Sequence, residues 1–336
     1  MGVEELDTDA HDRLVLVTGG AGFLGTRTVQ RLRSAGHPVA VLDDGSGGTL
    51  DRFDQLETDP TVRVHRVDLC DRDAVATVCE RERPWAVVHL AARHFIPFCE
   101  THPQQAWQVN VEGTRNLLDA LTSCQPRRFL FASTAEVYRQ SASPHREDDP
   151  LLSPTVYGRS KLAAEQFLRE TTLRWDTSLV LARLFNLYGP RHTVPHLIPT
   201  IVTQAMTGDH LRLGDLTTVR DFVYVDDAAA AIVGLLTRGA DGPYNVGSGT
   251  TTSGEDMVEL VAKLLGRDLT VALDPGRLRR HNRHALIADP TRLSRLLPWW
   301  PATPLDVGLR YVIDPNRHKP VLRAPTRQAA VQEGSR

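Results

Sequence analysis

Tyr157 and Lys161 stand four residues apart in the segment Tyr157-Gly158-Arg159-Ser160-Lys161, a spacing that puts both side chains on one face of a helix. An ammonium beside a phenol favours the phenolate, so Tyr157 reads as a general base with Lys161 as its charge partner. Upstream, the strand-like run Phe129-Leu130-Phe131-Ala132 leads into Ser133, Thr134 and Glu136. A hydroxyl at such a strand end can share the proton with Tyr157, and Glu136 can act as a second base. The same hydroxyls could instead serve only a local turn, and Glu136 could equally cap or salt-bridge its loop.

A second constellation lies near the start of the chain. Thr18-Gly19-Gly20-Ala21-Gly22-Phe23-Leu24-Gly25 spaces Gly19, Gly22 and Gly25 as G-x-x-G-x-x-G. Without side chains, these positions permit a tight turn, close approach of backbone N–H groups to a pyrophosphate, and close packing of the following helix. The next strand-like run ends at Asp43, where a dinucleotide fold needs an acid for the adenosine ribose hydroxyls. Asp43 would repel a ribose phosphate, Asp44 follows it, and no lysine or arginine occurs from Asp43 to Asp51. NAD is therefore expected rather than NADP. Asp68 closes the third run, where it could meet the adenine edge.

These residues need a scaffold to bring them together. Residues 14–18, 39–43, 62–68, 86–90, 128–133 and 179–184 read as buried strands, with helical patterns such as 23–34 between most of them. Such alternation predicts an α/β fold, a Rossmann-type doubly wound parallel sheet over 13–188. After about Gly189, prolines at 190, 195 and 199 and shorter elements mark a smaller C-terminal α/β substrate lobe, mainly 189–312. Residues 242–246 read as another buried strand and 222–236 as a helix with its lead-in, so segments around 219–247 are expected to return to the first lobe. Residues 1–12 and 316–336 lack periodicity and are expected to be flexible tails.

Composition narrows the partners. A chain of 336 residues with 39 basic and 41 acidic side chains has a formal net charge of -2, which creates no field to gather nucleic acid or an anionic membrane. A small-molecule substrate is expected. Cys70, Cys79, Cys99 and Cys124 form no C-x-x-C pair, which implies reduced thiols and no metal site. With no signal-like segment and no apolar run near the ~18 residues of a membrane span, a soluble cytoplasmic protein is expected.

Over about residues 13 to 312 the chain resembles an extended short-chain dehydrogenase/reductase of the nucleotide-sugar epimerase and dehydratase family. The resemblance rests on the glycine turn, Asp43, Asp68, His89-Leu90-Ala91-Ala92, Ser133-Thr134, Tyr157 and Lys161, the segment 183–191, and Arg220-Asp221-Phe222-Val223-Tyr224-Val225-Asp226-Asp227. It implies that Gly19, Gly22, Phe23, Leu24, Gly25, Asp43, Asp44, Asp68, Leu69, Leu90, Ala91, Ala92, Tyr157 and Lys161 surround a tightly held NAD. It further implies that Tyr157 takes the proton of a sugar 4-hydroxyl as hydride passes to NAD, with Thr134, or Ser133 beside it, assisting. Asn186 and Arg220 would contact the diphosphate of a nucleotide-diphosphate sugar, with Cys99, Arg191 and Arg279 as further substrate contacts. A homodimer built on helices near 103–123 and 157–173 is implied as well.

Which reaction follows the 4-keto step depends on a few side chains. A 4-epimerase needs only to return hydride to the other face of the sugar. A 4,6-dehydratase must also take the C5 proton and protonate the departing C6 hydroxyl. Hexose dehydratases of the family commonly carry Asp-Glu after the Ser-Thr; here the pair is Ala135-Glu136, and a methyl cannot donate a proton. His94 or Cys99, in the aromatic loop 93–103, could supply an acid or simply pack. Arg139 could meet a sugar carboxylate or face solvent. The expected activity is an NAD-dependent nucleotide-sugar 4-epimerase. The alternatives are a 4,6-dehydratase or other C5-active lyase or decarboxylase using Glu136, and, from another class, a non-catalytic NAD-binding regulatory or scaffold protein.

Overall fold

The computed structural model describes residues 13–47, 50–278, 283–301 and 303–317. Seven strands share one sheet: β1 (Val15–Thr18), β2 (Val39–Asp43), β3 (Val62–Arg66), β4 (Ala86–His89), β5 (Arg128–Thr134), β6 (Ser178–Leu184) and β7 (Gly242–Val246). Their order is β7-β6-β5-β4-β1-β2-β3, and every pairing is parallel. The apolar, β-branched runs of β1, β2 and β4 are buried along their whole length, as strands covered by helices on both faces must be. β3 forms one edge, where exposed Arg63 and Arg66 discourage further pairing.

Topology creates the crevice. The chain runs outward from β1 to β3, then crosses back to place β4 on the other side of β1. Ligands of open α/β sheets bind at such a reversal, beyond the carboxyl ends of the strands. Register aligns those ends, because Thr18 lies opposite Leu42 on one side and His89 on the other.

The segment after 219 serves both lobes. Val219–Arg220 pairs with Thr252–Ser253 and Ala285–Leu286, and Phe222–Tyr224 pairs in parallel with Asn186–Tyr188. The helix Val225–Arg238 then packs Ala228, Ala229, Ile232 and Leu235 into the same core as Leu24, Val29 and Leu32 of the helix Phe23–Ser34, before β7 completes the sheet. A second core joins the helices Leu197–Thr207, Gly254–Leu265 and Leu305–Ile313 through Ile198, Ile201, Val202, Met257, Val261 and Leu309.

The helical stretch expected over 103–123 is interrupted. Pro103–Trp107 passes through a π turn, Gln108–Glu112, into the helix Gly113–Leu121. Of the expected tails, residues 1–12 and 318–336 lie outside the described residues, whereas Pro315–Arg317 forms a 3-10 turn. No described helix is long and apolar enough to cross a membrane.

Candidate active site

The glycine turn leads directly from β1 into the helix Phe23–Ser34. Gly19 has φ +69, and a Cβ there would come 2.7 Å from the Ala91 nitrogen; a Cβ on Gly25 would come 2.0 Å from the Gly19 carbonyl oxygen. The turn, the helix and the start of the β4 loop are thus pressed together in a way only glycine permits. Gly22 caps the helix with no side-chain hydrogen bond, and its first turn carries no acid, so its leading N–H groups remain available to an anion. This arrangement fits a dinucleotide pyrophosphate.

Asp43 lies beside the turn and also builds it. Its Oδ2 accepts the Ala21 N–H at 2.9 Å and its Oδ1 the Gly45 N–H at 2.8 Å. Burial raises its pKa even though these two bonds favour the carboxylate. Asp44 accepts from Ser46, and the Arg93 guanidinium stands 3.9 Å from it, a cation brought in from the β4 loop that the 43–51 stretch does not reveal. A cleft of about 400 Å3 opens here, lined around the turn by Gly19, Gly22, Phe23, Leu24, Gly25, Asp43, Asp44, Asp68, Leu69, Leu90, Ala91 and Ala92.

The same cleft is lined by Thr134, Glu136 and Tyr157. Thr155 starts the helix Val156–Trp175 by accepting the Gly158 N–H at 3.0 Å, which fixes Tyr157 in its first turn. Burial pushes the Tyr157 phenol well above its ordinary pKa, and the hydrogen bond with Thr134 pulls it back. Lys161 does not offset this burial in the way the four-residue spacing suggested. Its Nζ lies 3.8 Å from the centroid of the Phe131 ring, and burial, opposed by Glu165, pushes its pKa down to about 7. Lys161 is buried and is not part of the cleft lining.

Ser133 is a correction. Successive strand residues face opposite ways, so when Thr134 faces the cleft Ser133 cannot. Its Oγ donates to Glu165 Oε1 at 2.5 Å. Glu165 is held on its other side by Arg183, through Nε at 3.1 Å and Nη2 at 2.9 Å, and Arg183 reaches the Tyr138 hydroxyl at 3.0 Å. This buried network clamps β5 and β6 to the 156–175 helix.

Other candidates also separate. Asn186 and Arg220 line the cleft. Cys99 does not: it is fully buried, its thiol donates to the Arg93 carbonyl at 3.3 Å, and burial pushes its pKa up to about 11. Arg191 and Arg139 are exposed and outside the cleft, and Arg191 offers its carbonyl to Arg52. Arg279 lies outside the described residues. His94 does line the cleft, together with His192 and His196.

Three participants carried no sequence signal. Arg283 pairs with Glu136, Nε to Oε2 at 3.1 Å, and also donates to the Glu136 carbonyl at 3.0 Å and to that of Tyr138. Asn110, buried in the π turn, accepts the Arg93 N–H at 2.8 Å and donates to the Ser160 hydroxyl at 2.9 Å, bracing the residue before Lys161. Arg277 lines the cleft from the second lobe.

Residues 15–247 match the model of the NAD dependent epimerase/dehydratase family. The chain belongs to this family. Its members are enzymes, and NAD is their cofactor. Among its relatives, a dTDP-glucose 4,6-dehydratase of Streptomyces griseus is 33% identical over 304 residues, covering 88% of this chain and 91% of the relative. A UDP-glucose 4-epimerase of Bacillus subtilis is 30% identical over 315 residues, covering 85% and 91%. The structure of a Thermus thermophilus UDP-glucose 4-epimerase in complex with NAD is similar with a TM-score of 0.81 and 30% identity, covering 90% of this chain and 98% of that one.

Proposed function

We infer that this chain is a nucleotide-sugar 4-epimerase that works through a transient 4-keto sugar and retains its NAD. The observation that carries this reading is the division of labour at the end of β5. Thr134 and Tyr157 both line the cleft, with the Thr134 hydroxyl pulling down the pKa of the buried phenol, whereas the Glu136 carboxylate is paired with Arg283 and Ala135 is a buried methyl. These groups suffice for moving one proton at one hydroxyl, whereas C5 deprotonation and C6 protonation demand two further groups, and the methyl of Ala135 cannot serve as the acid.

In this reading the Tyr157 oxygen takes the proton from the sugar 4-hydroxyl and later returns it, with the Thr134 hydroxyl as the intervening hydrogen-bond partner. Bound NAD would supply the two-electron acceptor, and the positive charge of its oxidised ring would favour phenolate. The high pKa that burial gives Tyr157 is what that charge must overcome. Asn186, Arg220 and Arg277 would hold the diphosphate and nucleotide from the second-lobe side, using amide and guanidinium donors suited to phosphate oxygens.

A dehydratase is the second reading, supported by Glu136 reaching the cleft and by the 33% identical Streptomyces griseus relative. Incubation with a panel of nucleotide-diphosphate hexoses in D2O, followed by NMR, separates the two. Inversion at C4 without solvent deuterium supports the epimerase; deuterium at C5 or C6 with loss of the hydroxymethyl signal would replace it. A homodimer belongs to the same proposal, with exposed Trp107 and Leu173 on the two helical segments assigned to its interface; sedimentation of the purified chain tests it.

A further inference from the structure

Three histidines from two loops converge at the mouth of the cleft. His94 follows β4 by five residues, whereas His192 and His196 belong to the loop that precedes the helix Leu197–Thr207. One ring nitrogen from each lies within 4.8 Å of the other two, and all three rings line the cleft. We propose that His94, His192 and His196 form a three-imidazole site for a divalent transition-metal ion of the zinc class, open to the cleft on its remaining coordination position.

The rings are held as ligands usually are. His192 stacks on Phe23 of the glycine turn, with centroids 4.1 Å apart and planes 6° from parallel. Its Nδ1 is buried and makes no hydrogen bond, which is costly for a polar atom unless something else fills the role. His94 is exposed to the cleft, and its ring lies against that of His196 with centroids 6.0 Å apart. His196 packs edge-on against Phe95 at 5.6 Å.

The donor set favours a transition-metal cation here, because three imidazole nitrogens this close together are ligands of the class that late first-row divalent ions bind strongly. Arg52, whose charge bears on His192, opposes any cation. An ion bound mainly by electrostatics, such as Mg2+, is therefore disfavoured against one that bonds strongly to imidazole. Zinc–nitrogen distances of ~2.0–2.1 Å in a tetrahedron place ligand nitrogens roughly 3.3 Å apart, so loading contracts the cluster by up to about 1.5 Å.

The test uses the full-length, tag-free, NAD-loaded protein after chelator treatment. Calorimetric titration with Zn2+, and visible absorption with Co2+ as a geometric probe, should show one saturable ion per chain with a tetrahedral cobalt spectrum and no competition from Mg2+. His94→Ala and His192→Ala should each weaken binding at least about 100-fold, since even outer partners of a metal ligand are worth 10–100-fold. His102→Gln, at an exposed histidine outside the cluster, should not change it. His94 is exposed, so its variant keeps the fold, which an unchanged melting temperature verifies. Absence of saturable uptake, or equal affinity in wild type and His94→Ala, overturns the site. Stronger binding of inorganic pyrophosphate to metal-free wild type than to the triple variant, without metal uptake, overturns it in favour of an anion site.

Discussion

Tyr157 and Lys161 show how a correct choice of residues can carry an incomplete account of their chemistry. The four-residue spacing suggested that the ammonium lowers the phenol pKa, but in the fold burial raises Tyr157 while Lys161 sits over Phe131. Sequence spacing specifies a shared helix face, not how dry that face is. Tyr157→Phe should keep the fold and bound NAD yet lower kcat by about 10²–10⁴, the usual worth of a positioned acid–base group. Retention of full activity would remove Tyr157 from proton transfer. The Lys161 pKa of about 7, against an ordinary 10.5, carries a stability signature. Below 7 both folded and unfolded chains hold the proton, and the fold bears the whole cost of burying it. Between about 7 and 10.5 the unfolded chain binds more protons, so stability should rise with pH across that window. Lys161→Met should flatten the rise, read from urea midpoints at pH 6, 7.5 and 9; identical pH dependence in both proteins would contradict the burial.

At the scale of elements, the strand–turn–helix at the glycines was legible because its requirement is local: three positions without side chains between an apolar run and a helical one. Gly25→Ala would drive a Cβ to 2.0 Å from the Gly19 carbonyl, so loss of NAD and a destabilisation of about 1–3 kcal/mol or more are expected from equilibrium unfolding. What stayed hidden was non-local. Whether Ser133 or Thr134 faces the cleft depends on strand register, which no run of hydroxyls reveals. Glu165 and Arg183 meet only because β6 lies beside β5 under the 156–175 helix, and Arg283 reaches Glu136 from the second lobe. Arg183→Met should cost about 3–5 kcal/mol, because it strands a buried carboxylate. Adding Glu165→Leu should recover part of that loss; a double variant no more stable than the single would show that the pair is not the clamp.

At the scale of the molecule, one sheet presents its carboxyl ends to a second lobe, and the cleft between them gathers groups from the loops after β1 and β4, the ends of β2, β5 and β6, and the segments beyond 184. The alternation of strands and helices announced the sheet. The convergence of Arg277 and the three histidines did not show, since those positions are brought together by the return of the chain between lobes. The central claim is that hydrogen leaves C4 of the sugar, is held on NAD within the cleft, and returns to C4. A nucleotide-diphosphate hexose deuterated at C4 tests it most directly. The account predicts a C4 epimer that keeps its deuterium at C4 through many turnovers with no net NADH. Deuterium recovered at C6, or lost to solvent, would contradict it.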